Sequence, residues 1–185
     1  MCQSTLPRSR FVSDFGQGFT LLELIVVLAI MGILMHVALP AMSRQITAIT
    51  LHTTARELRG AVIYARLYSQ RTGASIFLCP PEGSDVRCSH DLQNVASDRQ
   101  VSVRNQFGEV LRVLTLRHDI SLRNRKGRRW QSEPLMWDSD GLGNSNATLS
   151  VCSRRYQDLN WSLVINRIGR PRLIRDWGDC GDQAD

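Results

Sequence analysis

Residues 19–39 form an apolar run whose only ionisable side chains are Glu23 and His36. As a helix this run is roughly 30 Å long, the thickness of a bilayer hydrocarbon core, so a membrane-spanning helix is expected. The preceding residues carry Arg8 and Arg10 against Asp14, and that positive excess places the N-terminus in the cytoplasm and the rest of the chain outside it. An ordinary secretory signal has a shorter apolar region followed by a small-residue cleavage site. This run is too long, and no such site follows it. Glu23 is then a carboxylate at membrane depth, where an uncompensated charge is expensive and by default functional.

Beyond Pro40 the pattern stays helical. Leu51, Ala55, Leu58, Val62 and Ala65 alternate four and three residues apart, one apolar stripe opposite Arg56, Arg59 and Arg66. Gly73 is a suitable stop, since glycine tolerates the left-handed conformation found after helix C-termini. Short strands bounded by turn residues follow at 75–78, 101–104, 110–116, 147–152, 161–165 and 172–175. The fold class is α+β: a long N-terminal helix, membrane half then amphipathic half, packed on a C-terminal antiparallel sheet domain. The segment from Pro80 through Pro81 to Asp85 is a turn-rich connection. The oxygen-bearing stretch from Asp138 to Asn144 lacks the EF-hand spacing, with Leu149 where an acid is needed, and reads as a glycine-rich turn.

Cys2 precedes the apolar run, whereas Cys79, Cys88, Cys152 and Cys180 follow it and reach an oxidising compartment under this topology. Four cysteines permit three connectivities. Cys79 with Cys88 and Cys152 with Cys180 are favoured because each pair closes a local loop. A zinc site competes, but no Cys-x-x-Cys pair or histidine cluster supports it. No metal or cofactor is expected.

The sequence pI is about 9.5, and Lys126 is the only lysine. Guanidinium groups grip phosphate bidentately, so this bias toward arginine suits an anionic partner. One basic run comprises Arg123, Arg125, Lys126, Arg128 and Arg129 and ends at Trp130; a second group, Arg154, Arg155, Arg167, Arg170, Arg172 and Arg175, lies in the last third. Pro171 fixes its own φ and pushes Arg170 toward extended backbone, stiffening the segment between two arginines. Trp161 and Trp177 flank it, Trp161 as a core candidate. Asp176, Asp179, Asp182 and Asp185 follow, positioned to screen or pair with these arginines. His36, His52, His90 and His118 are scattered and match no nucleophile, metal or general-base pattern, so no catalysis is expected.

Gly18 followed by Phe19-Thr20-Leu21-Leu22-Glu23-Leu24 resembles the class III signal of type IV pilins and type II secretion pseudopilins. The resemblance implies residues 1–18 as a leader, removed by a prepilin peptidase that cuts between Gly18 and Phe19 and methylates the new amine. It also implies residues 19–39 as the transmembrane and assembly helix, 40–73 as the amphipathic half, and 74–185 as a periplasmic β-rich domain. Glu23 becomes the fifth mature residue, implied to neutralise the terminal amine of a neighbouring subunit. Such a charge pair fixes register better than it adds stability. Pro40 matches the proline that kinks or melts the family's helix.

Several later stretches are similar to the FimT, FimU and GspH group of minor pilins and pseudopilins: Tyr64-Ala65-Arg66 with Ser69-Gln70-Arg71, Phe77-Leu78-Cys79 before Cys88, and Val151-Cys152 before Trp161-Ser162-Leu163-Val164-Ile165. The run Asn166-Arg167-Ile168-Gly169-Arg170-Pro171-Arg172 resembles the Gly-Arg-x-Arg pattern of the DNA-binding FimT branch. That implies DNA contacts by Arg167, Gly169, Arg170, Arg172 and Arg175, with Arg123, Arg125, Lys126, Arg128 and Arg129 as a secondary patch. The implied partners are other pilin subunits, the prepilin peptidase, the inner membrane and DNA. The function so implied is a minor pilin near a pilus tip that takes up DNA in natural transformation. A structural minor pilin, a type II secretion pseudopilin of the H type, and an adhesin for anionic polymers are the alternatives.

Overall fold

The computed structural model describes residues 20–80, 88, 99–130, 134–144 and 146–181. Arg8, Arg10, Asp14, Gly18, Phe19, the Pro81 to Asp85 connection, His90, Asp182 and Asp185 lie outside the described residues. Contacts divide the chain into two units after Ala41, and each is described by itself.

The first unit holds the beginning of helix α1 (Leu21–Thr72). Thr20 caps it: its Oγ1 accepts the backbone N–H of Glu23 at 3.2 Å, and its carbonyl accepts that of Leu24. With Glu23 three residues on, Thr20-Leu21-Leu22-Glu23 is a capping-box sequence, satisfying a donor that no helical carbonyl can reach. The residues that follow are exposed aliphatics and methionines, including Leu24, Ile25, Leu28, Ile33 and Leu34, on a helix apolar enough to cross a membrane. Pro40 lies inside α1, which stays helical across it. The proline still removes the donor that would serve the carbonyl of His36.

The second unit is the remainder of α1 and eight strands: β1 (Ile76–Cys79), β2 (Gln100–Asn105), β3 (Val110–Thr115), β4 (Ile120–Asn124), β5 (Leu135–Trp137), β6 (Ala147–Ser153), β7 (Asn160–Ile165) and β8 (Pro171–Arg175). They form two antiparallel sheets ordered β3-β2-β1-β5 and β4-β6-β7-β8. Strands β4 and β5 were not expected from the sequence. Ile-Ser-Leu-Arg-Asn runs straight into a basic stretch that obscures its period, and Leu-Met-Trp is too short to show one. Each is fixed by long-range pairing, Leu122 with Val151 and Phe77 with Met136.

The stripe residues Leu51, Ala55, Leu58, Val62 and Ala65 are buried to within 1%, in a core shared with Ile76, Leu78, Val101, Val103, Leu149, Val151 and Leu163 from both sheets. Burial of each of the leucine, valine and isoleucine side chains among these contributes about 1.5–3 kcal/mol. Threonines of the helix turn their hydroxyls back to carbonyls four residues earlier, as Thr47 to Ser43 and Thr53 to Ile49. The helix ends where Gly73, at φ 67°, donates its N–H to the Ser69 carbonyl. Farther up, Ser43 bonds Tyr156 through hydroxyls 2.8 Å apart and Arg44 pairs with Asp158, fastening the helix to the β6–β7 connection.

Strand β1 is buried on both faces. Ile76 and Leu78 meet the main core, while Phe77 and Cys79 form a small second cluster with Cys88, over which Met136 packs. Arg104, also buried, donates from Nε to the Ser102 hydroxyl at 3.1 Å. Both disulfides are formed, Cys79–Cys88 and Cys152–Cys180, which selects one of the three connectivities.

The outer face of the second sheet is lined by small polar residues, because side chains alternate along a strand and Leu149, Val151 and Leu163 take the inner side. Ser150 and Ser162 there are fully buried, their hydroxyls 3.0 Å apart. What buries them is the C-terminal segment, residues 176–181. A Cβ on Gly178 would stand 1.8 Å from Ser150 Oγ, so only glycine fits. Asn160 donates its side-chain amide to the Gly178 carbonyl at 3.0 Å, Cys180 is bonded to Cys152, and Gly181 packs on Gly127. The tail is a strap across the sheet.

Candidate nucleic-acid interface

Residues 166–170 join β7 to β8, and three contacts fix the joint. The Gly169 N–H donates to the Asn166 carbonyl, the Arg170 N–H to Asn166 Oδ1 at 2.8 Å, and the Arg167 N–H to Asn146 Oδ1 at 2.8 Å. Asn166 thus closes the loop on itself and Asn146 ties it to the start of β6. The Arg167 carbonyl in turn accepts the Gly143 N–H at 2.9 Å.

Gly169 explains why the loop needs glycine. It is buried at φ 70°, and a Cβ there would lie 2.8 Å from Trp137 Nε1 and 2.9 Å from the Gly141 carbonyl oxygen. Gly141 is itself packed under Gln70, whose amide donates to the Asp140 carbonyl at 3.0 Å. Three stretches far apart in sequence therefore touch in series: Gln70 at the end of the helix, the Asp138–Asn144 turn, and the loop around Gly169. The turn has a packing role. Among the described residues no group of three or more His, Cys, Asp or Glu could hold a metal.

On this frame Arg167, Arg170 and Arg172 are exposed. Pro171 is buried as the first residue of β8, opposite Ile165. The structure does not bring Arg175 to this group. It lies at the other end of β8, opposite Trp161, and pairs with Asp176 at 3.2 Å. Trp161 is half-buried against the His52 ring, centroids 4.5 Å apart, whereas Trp177 is about half exposed at 49%.

The other basic run is a hairpin turn. Asn124 Oδ1 accepts the N–H groups of Lys126 and Arg128, which projects Arg125, Lys126, Arg128 and Arg129 to the surface. Arg123 departs from its neighbours. It is 7% exposed and donates to the Gly127 carbonyl at 3.0 Å, under the C-terminal strap, so it supports the turn from below. Arg154 and Arg155 are exposed in the β6–β7 connection. Strand pairing shows what the sequence does not: β4 ends at Asn124 opposite Leu149, β7 ends at Ile165 opposite Ala147, and β8 begins opposite Ile165. Both basic loops leave the same end of one sheet, two to three strand spacings or about 10–14 Å apart.

Residues 16–39 match the prokaryotic N-terminal methylation motif. The crystal structure of the type IV minor pilin FimU of Pseudomonas aeruginosa in space group P65 superimposes with a TM-score of 0.50 at 16% identity, covering 71% of this chain and 100% of that one. The architecture is that of a type IV pilin. The P21 form of FimU gives the same TM-score and identity over 71% of this chain and 95% of that one. The minor pseudopilin EpsH of the Vibrio cholerae type 2 secretion system aligns at 0.47, 14% identity, 68% of this chain and 96% of that one. No curated protein sequence matches. The methylation motif and the apolar start of α1 together fit the inner-membrane anchoring of pilin-like proteins.

Proposed function

We infer that this chain is a minor pilin-like subunit, structural and not enzymatic, which binds DNA through the loop carrying Arg170 and Arg172. The N-terminal unit supplies anchoring and assembly. A prepilin peptidase frees and methylates the amine of Phe19, and Glu23 of one subunit neutralises that amine on the next. The β-rich domain is then periplasmic, and in the assembled filament it stands near the tip.

The observation that carries the reading is the loop itself. Two exposed arginines flank a proline, on a backbone tied down by Asn166, Asn146 and the Gly169 cradle. A rigid loop loses little entropy on binding, so its guanidinium groups meet phosphates at low cost. Contacts of this kind read no sequence and weaken steeply with salt.

Gel-shift titration of the full chain in neutral detergent tests it. Arg170→Ala with Arg172→Ala is expected to weaken binding uniformly across sequences and to lower the salt slope by about two. Unchanged affinity would remove the loop from the site. A second reading, a subunit whose only role is assembly, draws on the likeness to the FimU fold. Under it the purified chain ignores DNA at physiological salt while its deletion abolishes filaments.

A further inference from the structure

Beside the Arg125–Arg128 turn lies a cleft of about 400 Å³, within the size range of pockets that hold small ligands. Trp130, Leu135, Ala147 and Leu149 supply apolar walls, and Asn124 and Asn146 stand at its polar side. Arg125, Lys126 and Arg128 line it from the hairpin turn. Asn146 is also the residue whose side chain accepts the Arg167 N–H, so one lining residue is shared between the cleft and the Gly169 loop.

Phosphate contacts alone do not account for a recess with apolar walls bordered on one side by basic residues. A ligand that presents anions about every few ångströms along a backbone, and a flat apolar ring with polar edges beside each one, fits both parts. We propose that the cleft takes one unpaired base of a nucleic-acid strand whose phosphates run from the Gly169 loop to the Arg125–Arg128 turn. The preferred ligand is then single-stranded DNA or a frayed duplex end, because a base held in a duplex stack cannot enter. The apolar walls receive the base faces, and the NH2 groups of the two asparagines, whose oxygens are held by backbone N–H groups, donate to acceptors on its edge. This rests on the reading of the loop as a phosphate-binding element.

Fluorescence anisotropy on the full chain in detergent, with three labelled probes of equal length, tests it: a single strand, the matching duplex, and an abasic strand that keeps the phosphates without bases. The single strand is expected to bind at least about fivefold tighter than the abasic strand, the low end of what one stacked base contributes. Ala147→Phe, which fills the cleft, is expected to abolish that advantage while leaving the abasic strand's affinity unchanged. Arg170→Ala with Arg172→Ala is expected to weaken all three probes together. Equal binding of the single and abasic strands by the unaltered protein, or a duplex bound more tightly than either, overturns the proposal without touching the loop. If the double arginine variant leaves every probe unaffected while the base advantage persists, the loop assignment fails and the cleft stands.

Discussion

Replacing Gly169 by alanine tests whether the arginine loop is held by its cradle or merely closed by its own turn. Two costs are separable. At φ 70° any Cβ meets the left-handed penalty, about 1–2 kcal/mol. The methyl group would also sit 2.8 Å from Trp137 Nε1 and 2.9 Å from the Gly141 carbonyl oxygen. Neither is the end of a flexible side chain: Trp137 is 1% exposed, and Gly141 is pinned under Gln70. Forcing an atom into such a site costs about 1–3 kcal/mol. The sum is about 2–5 kcal/mol, or roughly 5–15 °C in Tm for a domain of this size. Gly108→Ala is the matched control, since Gly108 has φ 83° with nothing within 4 Å of a Cβ and bears only the backbone cost. Thermal unfolding followed by tryptophan fluorescence should place Gly169→Ala well below Gly108→Ala. Equal Tm values for the two would refute the cradle.

Other outcomes follow from the same structure. Glu23→Gln keeps a capping-box residue at helix position three but removes the charge; it should leave processing at Gly18 intact and reduce filament incorporation, scored by immunoblot of sheared filaments, and normal incorporation would rule out amine neutralisation. Replacing Gly18 by a bulky residue should leave the precursor uncut, seen as an unshifted band. Cys152→Ser with Cys180→Ser opens a loop of 28 residues in sequence separation and should cost about 3–4 kcal/mol, against about 2–3 kcal/mol for the Cys79–Cys88 pair, nine apart; denaturant midpoints would show that order. Gly178→Ala should lower stability without altering either disulfide, because its methyl group has no room against Ser150 and Ser162; an unchanged midpoint would mean the strap lifts freely.

The helix and most strands were legible because they are written in local period. The stripe from Leu51 to Ala65 and the alternation around Val151 and Leu163 need no knowledge of what lies opposite. The cysteine pairs were legible because both close local loops. Strands β4 and β5 were not, since their evidence is in the partners Val151 and Phe77. The capping box at Thr20 is written in the sequence as Thr-x-x-Glu, in a run where Glu23 is at once a charge at membrane depth and a first-turn residue. For the candidate site, sequence named the arginines and missed their grouping. Arg175 belongs with Asp176 at the far end of β8, Arg123 lies beneath its own turn, and the two loops are neighbours only through the order β4-β6-β7-β8. Asn146, which ties the loop to β6, carries no sequence signal at all.

The strap also sets an order of events. It is the last described stretch of the chain, and the bond that fastens it joins Cys180 to Cys152, while Gly181 backs the Gly127 turn that bears Arg125 and Lys126. In a reducing compartment these two cysteines stay thiols, and the turn lacks its fastened support. One end of the arginine surface is therefore completed only where the Cys152–Cys180 bond can form. Under the export and nucleic-acid binding proposed above, the surface is unfinished in a reducing compartment and finished in an oxidising one.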